Sequence, residues 1–77
     1  MLTVVIISQQ GMIFEGTARQ LIAPGEHGVF EILDFHRPMV SRLLPGHVIV
    51  DETSLPIQRG VLAVGANRVT AIVEPMR

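Results

Sequence analysis

Side chains able to do chemistry are few and scattered in this chain. Glu26-His27, Glu31 and His36 offer carboxylate and imidazole groups of the kind that bind metals. A zinc site would want a histidine pair one helical turn apart or cysteine thiolates. The sequence has neither, so no metal or other cofactor is expected. Ser8, Ser41 and Ser54 are potential nucleophiles, but none sits in the sharp glycine turn that exposes a serine to a base. A nucleotide-binding loop needs glycine amides ahead of a helix and usually a lysine for the phosphates. The chain contains no lysine, and Gly60 and Gly65 flank a strand-like run instead. His27, between Gly25 and Gly28, reads as a turn residue. A chain this small also leaves little room for an enclosed pocket of ~300 Å³ or more. The expectation is a protein that is not an enzyme.

Composition narrows the partners. With 77 residues there is room for one domain, 1–77, and no stretch reads as a linker or a repeat. At this size folding buries only about 60% of the extended chain's surface. No cysteine is present to compensate, so stability rests on apolar packing, completed if need be by a partner. Net charge is −1, and the basic residues Arg19, Arg37, Arg42, Arg59, Arg68 and Arg77 are dispersed. A nucleic-acid binder would show a basic stripe with stacking aromatics. The only such rings are Phe14, Phe30 and Phe35, so nucleic acid is not expected as a ligand. The longest apolar runs, such as Val4 to Ile7, are far short of the ~20 residues that span a bilayer. No basic segment precedes a hydrophobic stretch at the N-terminus, so no signal peptide is read. These features predict a soluble, cytosolic protein. Yet 48% hydrophobic against 17% charged residues is apolar for such a small domain, which points to an interface.

The elements that must position these groups are strands. Valine and isoleucine abound, and branching at Cβ suits a pleated backbone. Glycine and proline interrupt at short intervals, the pattern of a small all-β sandwich or barrel. The spacing predicts strands near Leu2–Ser8, Met12–Glu15, Arg19–Ala23, Val29–Ile32, Met39–Leu43, His47–Asp51, Leu55–Arg59, Val61–Val64 and Arg68–Glu74. The first is apolar on both faces from Val4 to Ile7, as in a strand covered on both sides. In the last, Ile72 adds an apolar group to the face opposite Val69, Ala71 and Val73. Pro45-Gly46 suits the centre of a type II turn, with glycine at positive φ. Gly60, between two strand-like runs, suggests a bulge or a close backbone approach.

Taken in order, these segments resemble the N-terminal β-sandwich of the epsilon subunit of F-type ATP synthases. The resemblance runs from Val4-Val5-Ile6-Ile7-Ser8 and Ile13-Phe14-Glu15-Gly16 through Leu21-Ile22-Ala23-Pro24-Gly25-Glu26-His27-Gly28. It continues with Ile32-Leu33, His36, Pro38 and Leu44-Pro45-Gly46. It closes with Gly60-Val61-Leu62-Ala63-Val64 and Asn67-Arg68-Val69-Thr70-Ala71-Ile72-Val73-Glu74. The family's Pro-Gly before the histidine is replaced here by Asp34-Phe35.

The resemblance implies a flattened sandwich of about ten short strands. It implies a non-catalytic rotor subunit in the central stalk, held between the gamma subunit and the polar loops of the c-ring. Such a subunit lies at the cytoplasmic face of the membrane, peripheral and not inserted in it. His36 and Pro38 match the family's most recognisable loop, and Ser8 matches the serine ending its first strand. With Glu31, Asp34, Phe35 and Arg42 they form the expected partner interface. The family usually continues into a helical hairpin that restrains ATP hydrolysis. After Glu74 only Pro75, Met76 and Arg77 follow, which implies coupling without that inhibition. A free-standing β-barrel adaptor for an unrelated complex is the alternative.

Overall fold

Alternation of apolar side chains decides which face of each strand is buried, and the buried faces then stack. A computed structural model, which describes residues 1–76, contains eight strands: β1 (Leu2–Ser8), β2 (Gly11–Ala18), β3 (Gln20–Gly25), β4 (Gly28–Leu33), β5 (Met39–Leu43), β6 (Gly46–Val50), β7 (Thr53–Gly65) and β8 (Arg68–Pro75). One layer runs β2-β1-β8-β7-β5, with β1 and β8 parallel and the remaining pairs antiparallel. The other runs β7-β6-β3-β4, all antiparallel. The body measures 32 × 26 × 20 Å, flattened as expected.

The core lies between the layers. Leu2, Val4 and Ile6 from β1 join Val69, Ala71 and Val73 from β8, and Ala18, Leu21, Ala23, Ile32, Leu43, Val48, Val50, Ile57, Leu62 and Val64 complete it. No polar or charged residue is buried among the described residues. Each large aliphatic side chain removed from water contributes about 1.5–3 kcal/mol, so apolar burial holds the layers together. Phe14 and Phe30 pack at its margin.

The two strands expected at Leu55–Arg59 and Val61–Val64 are one strand of 13 residues, β7. It serves both layers: Thr53–Ile57 pairs with β6, and Gly60–Val64 with β5. A register shift between Ile57 and Arg59 bends it without breaking its pairing to β8. Gly60 sits at the bend because a Cβ there would stand 2.7 Å from the Ile72 carbonyl oxygen. The close approach expected of Gly60 is therefore its role. Joining these two runs gives eight strands, where the spacing predicts nine and the resemblance implies ten.

Two local expectations are corrected. Gly46 does not take the positive φ of a type II turn; positive φ among glycines falls at Gly11 and Gly28. Gly46 instead opens β6 against the Pro24 ring, whose Cβ would lie 3.1 Å from an added Cβ. β1 is not sealed on both sides: Thr3, Val5 and Ile7 remain half-buried.

Asp51 fastens the β6–β7 turn to the start of β3. Its φ is +52°, and Oδ1 accepts bonds from Arg19 N and Gln20 N at 3.0 and 3.1 Å. Hydrogen bonds to a charged acceptor contribute about 1.5–3 kcal/mol net. Asp51→Ala is thus expected to lower unfolding free energy by about 2 kcal/mol. Asp51→Asn, which keeps an acceptor and tolerates positive φ, should stay within about 1 kcal/mol of the parent. Urea titration of the three proteins checks this; equal midpoints would dismiss the clamp.

Candidate partner-docking surfaces

The expected interface residues occupy three separate places. Ser8 and Arg42 line one groove from β1 and β5, with β8 and β7 between them; Glu31 lies on an edge strand, and Asp34, Phe35, His36 and Pro38 form the β4–β5 loop.

Ser8 ends β1 and organises the turn that follows. Its Oγ accepts from Gln10 N at 3.2 Å and donates to the Gly11 carbonyl at 3.3 Å. Across the sheet from it runs an apolar row that strand register builds. Ile7 pairs with Met12 on β2 and Ile72 on β8, Ile72 pairs with Val61 on β7, and Val61 with Arg42 on β5. Met12, Ile72 and Val61 are 56, 58 and 48% exposed, and Val40 beside them 74%. This is the outer face of the larger layer, opposite the core. An open groove of about 880 Å³ adjoins it, lined by Ser8, Arg42, Val61, Ile72, Glu74 and Met76 among others. It exceeds the pocket expected from chain length because it is an open trough rather than an enclosed cavity. Arg59 Nε meets Glu74 Oε2 at 3.0 Å across the β7–β8 pair, both exposed, a contact worth only ~0–1 kcal/mol. No cluster of metal-ligating side chains occurs among the described residues. An apolar patch with a charged and hydroxylic margin suits protein contact.

Glu31 is in β4, opposite Ile22, and exposed. It belongs to the outer face of the smaller layer rather than to the loop.

The loop is a tight turn. His36 N donates to the Leu33 carbonyl at 3.2 Å, and Phe35, third in the turn, has φ +64°. That is the type II position that favours glycine. A bulky residue held there costs on the order of 1–3 kcal/mol. Phe35 gains no burial in return, being 87% exposed, so it does not fill the end of the sandwich. His36 is half-buried, and its Nδ1 donates to the Arg37 carbonyl at 2.7 Å. Pro38 lies beside Gly65.

Sequence reasoning misses Asn67, which reaches this loop from the β7–β8 hairpin. Ala66 and Asn67 both have positive φ, +51° and +59°, as a type I′ two-residue turn requires. Asn67 Oδ1 accepts from Phe35 N at 2.8 Å, and Nδ2 donates to Asp34 Oδ1 at 3.3 Å and to the Met1 carbonyl at 2.9 Å. An asparagine between two alternating runs is a legible turn signal; its long-range bonds are not.

Comparison with known proteins bears on what these surfaces meet. The family model described as "ATP synthase, Delta/Epsilon chain, beta-sandwich domain" matches residues 1–76. Over 74 residues the chain is 34% identical to an ATP synthase epsilon chain of Nitratiruptor sp., covering 90% of this chain and 57% of the relative. It is 35% identical over 74 residues to the epsilon chain of Xanthomonas campestris pv. campestris, covering 90% and 53%. The chain thus spans a little over half the length of these curated relatives. Its fold superposes on a chain from the Tetrahymena thermophila mitochondrial ATP synthase central stalk and c-ring with a TM-score of 0.78. That pair is 16% identical and covers 95% of this chain and 63% of the other, a likeness of fold.

Proposed function

We infer the role of this chain from its family, for it belongs to the ATP synthase delta/epsilon chain family, to whose β-sandwich domain it corresponds. It acts in the central stalk of a rotary ATP synthase, joining the gamma subunit to the polar loops of the c-ring so that both turn together. The match over residues 1–76 is the observation that carries this reading. The subunit makes and breaks no bond. Its location is peripheral, at the cytoplasmic face of the membrane that holds the complex.

The physical task is to pass torque without slipping, which asks for a stiff body and a complementary contact. Layers locked by buried aliphatic side chains provide stiffness, since close-packed interiors resist compression. The outer face of β1, β8, β7 and β5 provides apolar area, with Ser8 and Arg42 as its polar margin. Phe35 offers an aromatic anchor, and aromatic anchors dominate interface energetics. Glu31, Asp34, His36 and Pro38 complete the interface assigned to this chain.

Co-expression with the gamma subunit of the same synthase tests the assignment. The expected result is a stoichiometric complex in which amides of β1, β8 or the β4–β5 loop gain protection from hydrogen exchange. Recovery of the chain free of gamma overturns the rotor reading and favours an adaptor for another assembly.

A further inference from the structure

Resting on the docking reading of the β4–β5 loop, we propose that Asn67 is a positioning residue that latches Phe35 in its exposed, partner-ready conformation. Phe35 adopts a φ of +64° while 87% of its surface stays in solvent. A backbone outlier of this kind persists only where its surroundings over-determine it. Burial of the phenyl ring does not do so, because the ring is not buried. Beyond the turn bond from His36 N to the Leu33 carbonyl and the Met1 ammonium 3.2 Å from Asp34 Oδ1, the contact on the Phe35 backbone itself comes from one side chain. Asn67 Oδ1 takes the Phe35 amide hydrogen at 2.8 Å, and Asn67 Nδ2 reaches Asp34 Oδ1 at 3.3 Å, so two successive loop residues are gripped by one carboxamide.

Asn67 is itself firmly placed. It sits in the I′ turn between β7 and β8, whose strands pair from Gly65–Arg68 onward. Its carbonyl accepts from Thr3 N at 3.1 Å, which ties it to β1 as well. The loop is therefore referenced to the strands of the larger layer, the layer whose outer face carries the apolar row. Fixing a side chain in its bound geometry before binding removes an ordering cost from association. An aromatic anchor held at a set distance from the sheet face also suits a contact that must not yield under torque.

Asn67→Gly is the informative variant, since glycine accepts positive φ and keeps the hairpin turn while removing the carboxamide. The readouts are hydrogen exchange at the Phe35 amide, melting temperature, and affinity for gamma, measured for the parent, Asn67→Gly, Phe35→Ala and the double variant. The latch predicts faster exchange at Phe35 with unchanged exchange in β1 and β8, and a melting temperature near the parent's. It also predicts affinity for gamma about three- to tenfold weaker, corresponding to loss of preorganisation of one anchor. The double variant should bind no more weakly than Phe35→Ala, because an anchor already removed no longer needs positioning. Equal Phe35 exchange in the parent and Asn67→Gly overturns the latch. Losses that multiply in the double variant overturn it too. If Phe35→Ala binds gamma as the parent does, docking through this loop is wrong, and the purpose assigned to Asn67 falls with it.

Discussion

Replacing Phe35 and His36 together by alanine should weaken binding to gamma about thirtyfold and leave the fold intact. Truncating an aromatic anchor at an interface commonly costs ~2 kcal/mol, which is that factor in affinity. Little stability is at risk, since Phe35 is exposed and His36 bonds only within the loop. A surface change of this kind normally stays within about 0.5 kcal/mol. Phe35→Gly separates the two quantities more sharply. Glycine relaxes the positive φ, so unfolding free energy should rise by about 1 kcal/mol while affinity falls. Calorimetric titration against gamma, paired with thermal melts, gives both numbers. Parent-like affinity in the double alanine variant would remove the loop from the interface.

Gly60→Ala should have the largest effect on stability. The new methyl would stand 2.7 Å from the Ile72 carbonyl oxygen, 2.9 Å from Val73 Cγ1 and 3.2 Å from Val73 Cα. Two of these atoms are backbone and cannot swing aside. Relief requires β8 to move away from β7 where β7 crosses between layers, and Val73 is part of the core. Overpacking of this kind costs about 1–3 kcal/mol, sometimes more. For a domain of this size about 3 kcal/mol corresponds to a melting temperature lower by roughly 12–24 °C. Gly65→Ala is the control on the same strand. Its added Cβ would meet only Pro38 Cβ at 3.9 Å, an ordinary contact, so its melting temperature should stay within about 4 °C of the parent. A Gly60→Ala protein that melts with the Gly65→Ala protein would refute the crossing as the reason for glycine.

Local periodicity accounts for the part of the fold that is legible in the sequence. Alternation in Leu2–Ser8 and Arg68–Glu74 makes strands, because side chains on a pleated backbone point to opposite faces. Those strands, β1 and β8, lie side by side, and residues of the predicted inner faces fill the core. The apolar Ile72, out of phase with its neighbours, indicates a second apolar face. It is part of the exposed row. Where the sequence misleads, the cause is distant along the chain. Pro45-Gly46 carries a turn signature, but the Pro24 ring decides how Gly46 is used. The break expected at Gly60 is a continuous strand because β8 pairs across it.

The proposed interface divides in the same way. That Ser8, Glu31, Arg42 and the residues from Asp34 to Pro38 are accessible follows from their types and their place at strand ends, loops and outer faces. Their residue types contain no information on which of them share a surface. Register does that, by setting Arg42 opposite Val61 and so beside the Ser8 groove, away from the loop that holds Phe35. The sequence by itself determined an all-β chain with one apolar core and excess apolar surface, since these depend on composition and on spacing between near neighbours. Tertiary structure alone decided that β7 serves both layers, that the Ile72 carbonyl and Val73 are what crowd Gly60, and that Asn67 reaches back 33 positions to hold Asp34. Each of these depends on two segments meeting in space, and the energy of that meeting resides in neither segment alone.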